Sequence, residues 1–219
     1  MKTLKQNSYL SKLAIAAGIV GIELLITAPA FAHHPLGGRM PANFFEGIMS
    51  GFGHPMIGLD HLAFIVASGL MAVGMTAGIM IPIAFVIATG IGAGIHLASI
   101  DLPIPEIIIA ATVVLFGYLL AIKGKKQENN NYSLLITGIA GLAGIFHGFA
   151  YGEGIFGAEP TPLVAYLIGF TIIQLAISFG TCLLANQLIK HIPFKYLTRF
   201  AGSAIAAIGI VFLSSAIIG

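Results

Sequence analysis

Six long apolar runs, separated by short polar breaks, dominate this chain. They cover residues 56–76, 79–98, 104–123, 133–152, 162–187 and 198–218. Each is close to the ~20 residues that a helix needs to cross a bilayer. Runs of that length predict helices rather than barrel strands, because a helix satisfies its own backbone groups in lipid. Pro82, Pro103, Pro105 and Pro162 fall near the starts of runs, where a missing N–H does no harm. A short amphipathic stretch over 42–50 precedes the first run and is expected to lie at the membrane interface. The pattern predicts an all-α polytopic membrane protein with six transmembrane helices.

A shorter apolar stretch at the N-terminus has a different signature. Lys2, Lys5 and Lys12 form a basic lead, residues 13–26 are apolar apart from Glu23, and Pro29-Ala30-Phe31-Ala32 follows. A basic lead, a short apolar core and an A-x-A site are the marks of a secretory signal peptide. Residues 1–32 are therefore expected to be a signal peptide, and 33–219 the six-helix transmembrane domain. The mature chain would begin His33-His34-Pro35. A free amine beside two imidazoles is a chelating group for a transition metal.

Composition agrees with the pattern. The chain has 219 residues, of which 58% are hydrophobic and 8% charged, and its mean hydropathy is +0.99. Soluble domains are nearer 45–50% apolar and about 25% charged, so most of this surface faces lipid. A net charge of +2 is too small to suggest a nucleic-acid partner. The single cysteine, Cys182, can form neither an intrachain disulfide nor a thiolate cluster. No GxxxxGK[ST] loop and no GxGxxG element in a strand–helix setting is present, so the chain carries no nucleotide-driven motor.

Charge then gives an orientation. Lys123, Lys125 and Lys126 lie between the third and fourth runs, and Lys190, Lys195 and Arg199 between the fifth and sixth. The opposite loops hold Asp101, Glu106, Glu153 and Glu159, with only Arg39 basic on that side. Basic loops stay in the cytoplasm. The mature N-terminus and the C-terminus are therefore expected outside, on the periplasmic face of the cytoplasmic membrane. Export of the N-terminus predicts the same arrangement independently.

Twenty-eight glycines recur in small-xxx-small pairs, as Gly74/Gly78, Gly90/Gly94, Gly144/Gly148 and Gly148/Gly152. Such pairs let helices approach closely in lipid, and packing is the reading they favour.

The chemistry is concentrated in His54-Pro55-Met56-Ile57-Gly58-Leu59-Asp60-His61 at the mouth of the first run. An Asp at the centre of a membrane helix costs roughly 2.5–3.5 kcal/mol on insertion scales, so its presence beside two imidazoles needs a reason. Imidazole and carboxylate are ligands for divalent metals. In one continuous helix, His54 and His61 would share a face, with His61 about 10 Å further in. His96 lies near the outer end of the second run, and His147 near that of the fourth, followed by Tyr151 and Glu153. His147 and Tyr151 share a face at i, i+4 spacing. If these runs adjoin, the side chains form a descending ladder of N and O ligands. Asp60 has a second possible role, orienting an imidazole rather than touching metal. His191 lies among basic residues on the inner side and reads as a solvated loop residue.

The chain resembles the HupE/UreJ family of metal-uptake membrane proteins. The resemblance rests on the histidine-led mature N-terminus, the HPxxGxDH motif from His54 to His61, and His147-Gly148 followed by Gly152-Glu153. It implies a permease for nickel, in some branches cobalt, serving the maturation of nickel enzymes such as hydrogenase and urease. It carries over His54, Asp60 and His61 as metal-handling residues of the motif, and His147 and Glu153 as those of the second element. Many relatives have a second His where this chain has Tyr151. The expected metal-handling set is thus His54, Asp60, His61, His96, His147, Glu153, His33 and His34. The metal is expected as cargo, with no prosthetic group. The alternatives from other classes are an intramembrane metalloenzyme and a metal-binding assembly factor. No HExxH is present to support the first of these.

Overall fold

The computed structural model describes residues 39–124, 126 and 129–218, and among them every regular element is an α-helix. The expected signal peptide, His33, His34 and Lys125 lie outside the described residues. The elements are α1 (Phe44–Ile57), α2 (Leu59–Ala72), α3 (Met80–Leu97), α4 (Pro105–Ile122), α5 (Asn130–Glu153), α6 (Pro160–Leu188) and α7 (Phe194–Ile218). The last five are each long and apolar enough to cross a membrane. The pair α1–α2, bent by 81°, meets the same test only when its two helices are taken together, and makes a sixth crossing if the pair is one broken span rather than a re-entrant loop.

That bent pair replaces the single helix expected over 56–76. Asn43 caps the first turn of α1 by accepting from the Glu46 amide, and Glu46 reaches back to the Ala42 amide and to Arg39. This is a variant of the reciprocal cap that starts many helices. The helix therefore begins where the interfacial stretch was expected, but runs on through His54 to Ile57. Pro55 inside it has no N–H to donate and crowds the preceding turn. Three residues later the backbone turns out of helix at Gly58, at φ −70° and ψ 97°. The polypeptide restarts as α2 at Leu59, with Asp60 Oδ1 accepting from the His61 amide at 2.8 Å.

Helix α2 is the hub. Its 14 residues rise about 21 Å, and it touches α1, α3, α4, α6 and α7. A helix apolar on all sides belongs in an interior, and α2 is buried from Ala63 to Ile65 and again from Ala67 to Ala72. Around it the other helices associate most extensively as three pairs, α3 with α5, α4 with α7, and α1 with α6.

Glycine explains the tightest of these pairs. A Cβ on Gly144, Gly148 or Gly152 would strike the backbone or Cβ atoms of α3 around Phe85–Ala88, Thr89 and Ala93–His96. The contacts advance in the same direction along both helices, so α3 and α5 run parallel. The packing expected for Gly144/Gly148 and Gly148/Gly152 is thus present, whereas Gly90 and Gly94 face open space. Helix α1 likewise packs on the first half of α6, and α2 on its second half. Gly47 and Gly51 meet Pro162 to Phe170, and Gly69 meets Ser178.

At the far end of α2, Lys123 follows α4 and is buried. Its Nζ donates to the carbonyls of Met71 and Val73 at 2.5 and 2.7 Å, and lies 5.7 Å from the centre of the Phe194 ring. An ammonium is the complement of a helix C-terminus, where carbonyls lack intrahelical partners.

Candidate functional site

Three imidazoles meet at the opposite end of α2. His54 comes from α1, His61 from the first turn of α2 and His147 from α5, and all three are buried. The His54 and His61 ring centres are 5.9 Å apart, and those of His61 and His147 are 5.0 Å apart. Tyr151, one turn after His147, places its ring 5.1 Å from His54 and 4.6 Å from His61. The shared face expected for His147 and Tyr151 is what brings both to His61. The face expected for His54 and His61 on one helix does not exist; the turn at Gly58 brings them together instead. Two glycines leave room for the rings. A Cβ on Gly58 would lie 2.7 Å from His61 Cδ2, and one on Gly154 would lie 2.7 Å from His54 Nδ1.

The hydrogen bonds set the protons. Tyr166 donates its hydroxyl proton to the Tyr151 carbonyl at 2.9 Å, so at 2.6 Å it accepts from His54 Nδ1–H. Thr112 donates to the Ile109 carbonyl at 2.7 Å, so its oxygen accepts from His147 Nε2–H at 3.2 Å. Nδ1 of His147 is then an acceptor, and at 2.8 Å it accepts from His61 Nδ1–H. A neutral imidazole has one donor and one acceptor nitrogen. In their neutral forms His54 and His61 thus both carry the ring proton on Nδ1. Fixing one ring nitrogen by a hydrogen bond, so that the other can act as ligand, is how proteins prepare histidine for a metal.

The remaining expected residues are placed differently. Asp60 is buried, and its carboxylate accepts from the His61 backbone amide, a bond to the main chain rather than to an imidazole ring. His96 is only half-buried; its ring packs on Phe149 at 4.6 Å and Phe156 at 5.5 Å, away from the other imidazoles. Glu153 ends α5 and is exposed. Among the described residues, no three His, Cys, Asp or Glu side chains stand ready to hold a metal ion together. The mutual bond of His61 and His147 is one reason, since it engages a ring nitrogen of each. Tyr151 fills the space among the rings, and its buried hydroxyl has no hydrogen-bond partner among the described residues.

Below the imidazoles lies an aromatic floor. Phe64 sits 4.6 Å from Phe85, 4.5 Å from Phe116 and 4.7 Å from His147. Sequence reasoning passed over Tyr166 and Thr112, which fix two of the three imidazoles. Both sit in apolar runs, and only the four-residue spacing of Tyr166, Phe170, Gln174 and Ser178 on α6 hinted at an inward face.

Fold and site define a multi-pass helical membrane protein with a buried imidazole cluster near one end of its central helix. The sequence profile described as "HupE / UreJ protein" matches residues 21–212, and the chain belongs to that family. It is also similar to a curated protein of Rhizobium leguminosarum bv. viciae named "Protein HupE". The two are 30% identical over 195 residues, which is 86% of this chain and 93% of the relative. No solved structure matches the chain.

Proposed function

We propose that the protein is a permease for a divalent transition-metal ion, with nickel as cargo and cobalt as the alternative. It acts in the cytoplasmic membrane, with the mature N-terminus and the C-terminus outside, and supplies nickel-enzyme maturation such as that of hydrogenase or urease. The observation that carries this reading is the convergence of three buried imidazoles, His54, His61 and His147, with His54 and His61 each held through Nδ1 by a hydrogen bond. Family membership supports it. Imidazole without thiolate suits a pathway, which must bind well enough to dehydrate an ion and weakly enough to release it.

The ion would be gathered by His33, His34 and the outer acidic loops, then pass to His54 and His61. Asp60 bonds the main chain of the second of these, and His147 lies adjacent. His96 and Glu153 stand at the rim of this path. No nucleotide is needed, because inward movement of a dication gains about 4.6 kcal/mol per 100 mV of membrane potential. The protein is read as a transporter, and no catalytic step is assigned to it.

The test is uptake of radiolabelled nickel by cells expressing the chain, with cobalt, zinc and copper as competitors. His61→Ala and Asp60→Ala are expected to abolish uptake while membrane insertion persists. Asp60→Asn retains an acceptor for the His61 amide and separates the carboxylate's charge from that hydrogen bond. Undiminished uptake in His61→Ala sinks the assignment.

A further inference from the structure

A second polar layer follows the imidazoles along α2 and α6. Gln174 lies two turns along α6 from Tyr166, and Ser178 one turn further. Ser68 lies two turns along α2 from His61. All three are fully buried, as is Thr89 of α3 beside them. Gln174 Nε2 donates to Thr89 Oγ1 at 3.3 Å and to the Phe170 carbonyl at 3.0 Å. Thr89 gives its own proton to the Val86 carbonyl, and a carbonyl cannot donate. The amide is therefore oriented unambiguously, with both N–H groups engaged. Its Oε1 is buried and has no hydrogen-bond partner among the described residues.

One turn on, Ser68 donates to the Ile65 carbonyl at 2.7 Å, and its oxygen lies 3.1 Å from that of Ser178. Two hydroxyls bonded to one carbonyl leave lone pairs unspent. The layer is thus rich in acceptors and short of donors. An unmade hydrogen bond in an interior is destabilising, and a leucine at position 174 would avoid it. A cation is the species that an excess of oxygen acceptors suits.

We propose that Gln174 Oε1, with the hydroxyls of Ser68 and Ser178, forms a weaker, neutral oxygen station that receives the divalent cation after the imidazoles. The inference rests on the transport reading. It accounts for onward movement: neutral oxygens hold a transition metal less tightly than imidazoles do, so affinity falls in the direction of travel. The station also divides the remaining path, as multi-site conduction requires.

Gln174→Leu tests it. The substitution preserves bulk, removes the orphaned acceptor and leaves Thr89 bonded to Val86, so the fold should hold. Two measurements are made with nickel alone, namely calorimetric binding to the detergent-purified chain and influx into proteoliposomes containing a nickel-quenched dye. Binding is expected to stay within about twofold of wild type, while influx falls by about tenfold or more, the scale of one lost contact to a charged group. Ser68→Ala/Ser178→Ala, which leaves Gln174 in place, is expected to slow influx in the same way. Wild-type influx in either variant overturns the station. A wild-type chain that binds nickel and moves none overturns the transport reading itself, and this inference with it.

Discussion

His54 and His61, seven positions apart, meet with ring centres 5.9 Å apart because the backbone turns by 81° between them. In an unbroken helix the same separation would spread them about 10 Å along the axis. Pro55 and Gly58 of the motif thus convert a separation along the chain into a convergence of imidazoles.

Gly58 is the position at which that convergence is most exposed to change. Its backbone angles suit any residue, so Gly58→Ala should retain the turn. The new methyl, however, would press on the His61 ring. Overpacking of this kind costs about 1–3 kcal/mol. The variant is expected to lose nickel affinity measured by calorimetry, while its helical circular dichroism matches wild type.

Tyr166→Phe removes only the oxygen that accepts from His54 Nδ1–H. The ring stays among Tyr151 and Phe170, and the imidazole loses the bond that sets its tautomer. Loss of such an orienting partner lowers metal affinity by roughly 10–100-fold. Calorimetric titration with nickel should show that drop, with a lower melting temperature as well, because the Tyr151 carbonyl loses its donor. A variant that binds as tightly as wild type would show that the hydroxyl does not prepare His54.

Lys123 acts at the other end of α2. Lys123→Met keeps the apolar stem and withdraws the donor from the carbonyls of Met71 and Val73. Leaving such groups unmet costs about 1–3 kcal/mol each. The melting temperature in detergent should fall, whereas nickel affinity should not, because sites this far apart contribute independently.

Much of the architecture was legible because lipid imposes a simple rule, a long apolar run for each crossing. The runs ending in α3, α4, α5, α6 and α7 are each a helix of the expected kind. The first run was not legible in the same way. Met56, Ile57 and Leu59 are apolar on both sides of Gly58, so hydropathy passes smoothly over the place where the helix breaks. His147 and Tyr151 were placed correctly because they sit on one unbroken helix, where spacing alone decides the face. His96 was not, because α3 turns Thr89, Gly92 and Ala93 inward and leaves His96 against Phe149. Tyr166, Thr112 and Gln174 were hidden for a different reason. Each is a lone polar residue in an apolar stretch, and only its neighbours on other helices reveal its role.

The glycine contacts have a mechanical consequence. Where backbone rests on backbone, one helix cannot slide along its partner without driving main-chain atoms together, and tightly packed elements switch between arrangements rather than deform. In the three pairs, α1 with α6, α3 with α5 and α4 with α7, each helix is therefore locked lengthwise to its partner around α2. The imidazoles and their supports are shared out among them. His54 and Tyr166 lie on the first pair, His147 and Tyr151 on the second and Thr112 on the third, with His61 on α2 itself. On the proposed function, an ion held by His54 and His61 would tie the first pair to α2.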